Sequence, residues 1–172
     1  MKLNMGCYDD IKEGYVNLDK KKYFEGIDVV HDLEKFPYPF EDNEFDEVIA
    51  RYILDHLDRN KLREVFNELH RICKDRGIIK ITVSYDERYM RCFDHKGGFS
   101  FFTFLKLEDE KRKWKSDGNW KIKEMHGIPV SYGFAKYIPN FKIKKHLGLR
   151  DTISLYLKGI TNDVYVELKV IK

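Results

Sequence analysis

The sequence predicts an α/β fold on an open, mostly parallel sheet covered by helices, and three observations carry that expectation. Short β-branched segments recur through residues 1–84, each ending near a glycine or an acid. A helical pattern over residues 60–73 leads directly into a β-branched run, the strand-helix-strand rhythm of a parallel sheet. Residues 163–171 alternate Val164, Val166, Leu168 and Val170 against Tyr165, Glu167 and Lys169, the period of a half-buried strand.

In chain order, Lys2–Met5 is the first strand and stops at Gly6. Residues 15–18 form the second, ending at Asp19, and residues 27–31 the third, ending at Asp32. Two prolines make residues 36–39 a loop, after which residues 45–50 form the fourth strand. Over residues 60–73, Leu62, Val65, Phe66, Leu69 and Ile72 recur at the spacing of one buried helical stripe. Gly77 is expected to close that helix, and residues 77–83 are the fifth strand. Residues 84–104 are loop-rich and aromatic, residues 105–115 read as a charged helix, and residues 120–125 read as a strand. Residues 141–145 alternate as an extended segment, whereas residues 152–157 fit helix and strand equally.

The 172 residues are one domain's length, and 42% hydrophobic with 15% aromatic content supplies a core. A net charge of +3 does not by itself announce a nucleic-acid binder. Its distribution is uneven: residues 1–84 carry 14 basic and 18 acidic side chains, and residues 85–172 carry 18 and 11. No apolar run approaches the roughly 20 residues that span a bilayer, and the start MKLNMGCYDD lacks a signal-peptide core. Cys7, Cys73 and Cys92 are too few and too scattered for a disulfide framework or a zinc site. A cytoplasmic protein with no membrane association is expected.

The series Leu3-Asn4-Met5-Gly6-Cys7, Gly14-Tyr15-Val16-Asn17-Leu18-Asp19 and Asp28-Val29-Val30-His31-Asp32-Leu33 resembles the class I S-adenosylmethionine-dependent methyltransferases. Within them it is most similar to a small group that begins almost at the first strand. The resemblance continues through Phe36-Pro37-Tyr38-Pro39-Phe40, Phe45-Asp46-Glu47-Val48, Leu54-Asp55-His56-Leu57 and Glu68-Leu69-His70-Arg71-Ile72. It reaches Asp94-His95 and Phe101-Phe102-Thr103 more loosely. It implies a Rossmann-like methyltransferase fold with an antiparallel C-terminal strand. A cofactor-binding half, residues 1–84, would then precede a substrate-shaping half, residues 85–172.

In open α/β sheets ligands bind beyond the carboxyl ends of the strands, where Gly6, Asp19, Asp32 and Arg51 fall. A glycine at the first turn lets the backbone approach the methionine part of the ligand. An acid ending the second strand can accept from both ribose hydroxyls, and one ending the third can accept from the adenine amino group. The resemblance assigns these tasks to Gly6, Asp19 and Asp32, with the backbone of Cys7 and Leu33 alongside and Arg51 after the fourth strand. Each residue also has a purely structural explanation: a turn glycine, a solvated acid before Lys20-Lys21-Lys22, and an N-cap.

The family usually carries Gly-x-Gly at the first turn, and here Tyr8 stands at the second glycine. Either the ring swings outward and the site survives, or it narrows the pocket. Among candidate bases, His56 follows the fourth strand and His95 lies in a loop that could close over a substrate; packing or simple exposure are the alternatives. His70 and Cys73 share a helix face, which is too few ligands for zinc, so packing is expected and no metal. Lys111-Arg112-Lys113-Trp114-Lys115, Trp120-Lys121-Ile122-Lys123 and Lys142-Ile143-Lys144-Lys145 interleave cations with rings, which suits RNA or another anionic acceptor as well as a solvated surface. The expected activity is methyl transfer from S-adenosylmethionine to an unidentified acceptor, in a monomer or homo-oligomer. The alternatives are a degenerate, non-catalytic binding module of the same fold and an RNA-binding protein using the basic half.

Overall fold

The structure is a computed structural model that describes residues 1–85, 93–107, 117–129, 141–142 and 161–172. Five strands of the first half run parallel: β1 (Lys2–Met5), β2 (Val16–Asp19), β3 (Val29–Val30), β4 (Phe45–Arg51) and β5 (Cys73–Ser84). Three more follow, β6 (Asn119–Pro129), β7 (Phe141–Lys142) and β8 (Thr161–Ile171). The described strands form one sheet of order β3-β2-β1-β4-β5-β8-β6-β7. The C-terminal strand β8 is antiparallel and sits between β5 and β6, as the resemblance implied.

Register decides which residues make the core. Leu3, Val48, Ile79 and Leu168 form one row across four strands, and Met5, Ala50, Ile81 and Val166 form the next; all eight are fully buried. Helix α1 (Leu62–Ile72) lays Val65, Phe66, Leu69 and Ile72 into the same cluster, and the short α2 (Phe101–Leu105) adds Phe101 and Phe104. Each such aliphatic side chain stabilises the fold by about 1.5–3 kcal/mol on burial. The other face of the sheet carries charged rows. Lys2 and Lys80 flank Glu47, at 4.0 and 2.7 Å, and Lys123 lies 3.1 Å from Glu167.

Several boundaries differ from expectation for local reasons. The second strand keeps its length but is shifted by one residue to end on Asp19, and the third is shorter than expected, an edge strand whose Val30 is exposed. The predicted helix start becomes a 3-10 turn at Arg59–Lys61, capped by the Asp58 carboxylate, which accepts from the Asn60 N–H. Helix α1 ends at Ile72, and Cys73 is already extended, so Gly77 lies inside β5 and does not close the helix. Glycine relieves crowding there, since a Cβ would stand 3.0 Å from the Lys74 carbonyl and 3.3 Å from that of Phe45, where the β4–β5 register shifts. Leu105 ends α2 instead of starting a charged helix; residues 108–115 of that prediction, and residues 143–145 and 152–157, lie outside the described residues.

The β1–β2 crossover spans residues 6–15 without a helix. Buried amides satisfy its backbone. Asn4 Nδ2 donates to the Asp10 carbonyl at 2.6 Å and to Asn17 Oδ1 at 3.0 Å, and Asn17 Oδ1 also accepts from the Lys12 N–H at 2.9 Å. The Asn17 N–H in turn donates to Asp28 Oδ2 at 2.8 Å. A buried carboxamide with a full set of partners can fix a loop in place of a helix. The loop after β3 is held differently. Arg71 donates to the Tyr38 and Phe40 carbonyls and to Glu68 and Asp42, at 2.8–3.1 Å.

Candidate functional site

The carboxyl ends of the parallel strands bring the predicted residues to one edge. At the end of β1, Gly6 has φ +67°, and the N–H groups of Gly6 and Cys7 donate to the Leu18 carbonyl at 2.8 and 3.1 Å. A Cβ on Gly6 would run into the Ile53 side chain, with Cδ1 at 2.7 Å. Only glycine fits both the backbone and the space. Cys7 is buried, and burial together with the Asp19 charge pushes its thiol up to about 11, so it is no nucleophile at neutral pH.

Tyr8 takes the outward course. Its φ is +44°, in the left-handed region that glycine enters without strain, and the residue is 54% exposed, its ring edge-on to Tyr23 at 5.4 Å and Phe24 at 5.1 Å. Its N–H donates to Asp19 Oδ2 at 2.9 Å. Asp19 is buried at the end of β2, and its Oδ1 accepts from the Lys20 N–H at 2.6 Å. It is not the solvated turn acid of the structural alternative. Two backbone donors leave a carboxylate with acceptor capacity to spare.

After β3, Asp32 Oδ1 accepts from the Glu34 N–H at 3.1 Å and Oδ2 lies 3.0 Å from Lys20 Nζ. Burial would raise the Asp32 pKa, but the Glu34 N–H and the Lys20 ammonium outweigh it and hold the carboxyl below its ordinary range. The neighbouring Leu33 side chain is buried in the core. Arg51, at the end of β4, is exposed, with Nη1 3.5 Å from Asp10 Oδ2.

Beyond β4 the chain forms the short 3-10 turn Leu54–His56. Asp55 is fully buried; its Oδ2 accepts from the Ser84 N–H at 2.9 Å and its carbonyl accepts from the Lys96 N–H at 2.7 Å. Those bonds dock the loop carrying His95 onto the turn carrying His56. The two imidazoles meet edge to face at 4.5 Å, and His56 Nδ1 lies 3.6 Å from Asp94 Oδ2. Lys96 also reaches Glu34 at 2.7 Å, tying this loop to the segment after Asp32.

Two residues that sequence reasoning missed join this edge. Tyr52 has φ +51° and donates its phenol proton to Asp163 Oδ2 at 2.9 Å. Burial, reinforced by Asp163, pushes the phenol up to about 12. The pair is 111 positions apart in the chain, so no local pattern announces it. His70 and Cys73 pack as expected: His70 Nε2 is 3.0 Å from the Ile171 carbonyl, and the Cys73 thiol is pushed up to about 12 by burial. Among the described residues, no group of three or more His, Cys, Asp or Glu is placed to hold a metal ion, and no helix is long and apolar enough to cross a membrane. An open groove of about 410 Å³ runs beside α1 between Leu62, Phe66, Phe99 and Leu107, and none of the strand-end residues lines it.

Residues 8–81 match the family model described as a methyltransferase domain. Solved structures with the same fold include an S-adenosylmethionine-dependent methyltransferase from Archaeoglobus fulgidus, 17% identical, with 98% of this chain and 85% of that one covered and a TM-score of 0.66. A putative methyltransferase from Bacillus halodurans is 13% identical over 99% and 92% of the two chains, with a TM-score of 0.64. A third is the complex between the Haloferax volcanii Trm112 methyltransferase activator and a putative methyltransferase, 14% identical over 98% and 80%, with a TM-score of 0.61. Comparison with curated proteins yields no match. The resemblance to class I methyltransferases therefore holds in the family match and in the fold.

Proposed function

With a class I methyltransferase domain as the premise, we propose that this protein binds S-adenosylmethionine at the carboxyl edge of β1–β4 and transfers its methyl group to an acceptor. The observation that carries this reading is the pairing of a glycine turn no other residue can replace with a buried, backbone-anchored Asp19 beside it. A carboxylate held there by backbone N–H groups, with no cation paired to it among the described residues, fits a pair of vicinal hydroxyls. Gly6 and Cys7 give the cofactor's methionine part a close backbone approach, Asp19 accepts from the ribose hydroxyls, and Asp32 accepts from the adenine amino group. The Leu33 N–H serves a ring nitrogen. Arg51 provides a cation for the cofactor's carboxylate.

The bound cofactor supplies an activated methyl group for in-line displacement, so the protein's task is mainly orientation. His56 takes the acceptor's proton at Nε2, while Asp94 Oδ2 faces Nδ1 at 3.6 Å. His95 walls the same space from the opposite loop. Residues 1–84 hold the cofactor and residues 85–172 shape the acceptor site. An anionic acceptor, RNA included, is the class that the basic residues of the second half suit; of these, Lys121 on β6 lies toward the amino end of β5, in register with Lys169 and Ile78, and residues 111–115 and 143–145 lie outside the described residues. A cytoplasmic setting, and a second copy or an activator protein as partner, accompany this reading.

The rival, a non-catalytic module of the same fold, draws on the Lys20–Asp32 ion pair, which engages the adenine acceptor. Thermal unfolding separates the two. S-Adenosylhomocysteine at a hundredfold excess over its Kd should stabilise the fold by about 2.7 kcal/mol. No shift with either S-adenosylmethionine or S-adenosylhomocysteine at millimolar concentration favours the module and sinks the enzyme.

A further inference from the structure

The groove beside α1 takes no part in the reading above, and its lining has the make-up of a ligand site. Its volume of about 410 Å³ falls within the roughly 300–1,000 Å³ of small-molecule pockets. Phe66 and Phe99 supply buried rings, and Leu62 and Leu107 supply partly exposed aliphatic side chains. Phe66 meets Trp120 edge-on at 5.9 Å and Phe99 stacks on Phe104 at 5.7 Å, so core neighbours hold both rings in place. The charged residues around the groove leave one cation over. Asp117 is engaged by Arg63 and Asn67, each at 2.7 Å. Glu64 stands in the first turn of α1, where free helical N–H groups offset a negative charge. Arg59 has no such counterpart, since among the described residues no carboxylate pairs with its guanidinium. Its stem is nonetheless seated on the buried Gly97, where a Cβ would come within 2.8 Å of Arg59 Cδ and Nη1. The missing side chain at Gly97 lets the arginine lie across that loop and line the groove without a neutralising partner.

We propose that this groove binds a small amphipathic carboxylic acid, its apolar body against Phe66 and Phe99 and its carboxylate on the Arg59 guanidinium. The planar fork of an arginine matches the two oxygens of a carboxylate, and the rings supply apolar contact area. One cation left over matches a monoanion, whereas a phosphate monoester brings about −1.5 to −2 charges. None of the residues of the proposed cofactor edge lines the groove, so this site stands apart from the cofactor placement and does not depend on it.

Titration of the native protein with naphthoate, followed through amide shifts in heteronuclear NMR, tests the site. The acid should bind with a Kd below about 1 mM, its shifts gathered on residues 59–66 and 97–107. Naphthylmethanol and naphthylmethylammonium keep the rings and lose or reverse the charge. Each should bind about three- to fivefold more weakly, the worth of an exposed ion pair. Arg59→Met should erase the preference for the acid while the affinity for the alcohol stays within about twofold. Arg59→Lys, which keeps the charge without the fork, should retain part of it. No shifts with the acid at millimolar concentration, or shifts centred elsewhere, overturn the site. An ammonium that binds as tightly as the acid, or a preference untouched in Arg59→Met, overturns the assignment of the carboxylate to Arg59.

Discussion

Replacing Tyr8 by glycine and by alanine isolates the backbone conformation of the first turn from the side chain it carries. Both substitutions remove the ring and its edge contacts with Tyr23 and Phe24, and both keep the N–H that donates to Asp19. They differ in what φ +44° costs. Alanine in the left-handed region is unfavourable by about 1–2 kcal/mol, and glycine is nearly indifferent. Against this, glycine gives the unfolded chain more freedom, worth about 0.4–1 kcal/mol to alanine at an unstrained site. The balance leaves Tyr8→Gly more stable than Tyr8→Ala by roughly 0.5–1 kcal/mol, the reverse of the order found in most positions. In a chain of this size that is about 1–4 °C in Tm, or a matching shift of the urea midpoint at constant slope. Equal stability, or alanine ahead, would mean that the turn does not hold Tyr8 in the left-handed region.

Gly6→Ala meets both a positive φ and the Ile53 side chain, so a loss of about 2–4 kcal/mol in urea denaturation is expected, with partial recovery on adding Ile53→Ala; a loss below 1 kcal/mol would contradict the packing. Lys20→Met frees an Asp32 oxygen and should tighten S-adenosylhomocysteine about two- to fivefold at low salt, the advantage fading as salt screens the native pair. Weaker binding would show that the lysine assists the cofactor. Leu69→Ala removes the fully buried centre of the α1 stripe and should cost about 2–5 kcal/mol by chemical denaturation. Burial would raise the Glu68 carboxyl, but Arg71 and the Tyr38 N–H together hold it below 4.5. A depressed folded pKa contributes stability above the unfolded value, so the Glu68 contribution should be full above about pH 4.5 and lost as pH falls through the folded value. In Glu68→Gln that part of the acid-side slope should vanish; an unchanged slope would refute the assignment.

Strand ends were legible in the sequence because their signals are local. Gly6 must turn, and Asp19 and Asp32 stop short β-branched runs, so the residues of the proposed cofactor edge could be named from one-dimensional spacing. Helix α1 was legible for the same reason: five apolar positions mark one stripe. What stayed hidden depends on contacts across the chain. The meeting of His56 with His95 is made by the Lys96 N–H to the Asp55 carbonyl, and Tyr52 finds Asp163 only because β8 slots in beside β5. Gly77 was misread because a glycine after an apolar stripe signals a helix end just as it signals a crowded strand. Asn4 and Asn17 were passed over because a buried amide network leaves no periodicity to see. The uneven charge also falls along the sheet: the acidic half supplies Asp19 and Asp32, and the half that follows supplies the lysines of β6.

Calorimetric titration of S-adenosylhomocysteine into the native protein and into Asp19→Ala bears most directly on the proposed function. The native protein should bind one equivalent with a Kd in the micromolar range. The variant, confirmed as folded by its far-ultraviolet circular dichroism, should bind at least about tenfold more weakly, the worth of one to two hydrogen bonds to a charged acceptor. Equal affinity in the two proteins would contradict the placement of the ribose at Asp19, and absence of binding to the native protein at millimolar ligand would contradict the proposed methyl transfer.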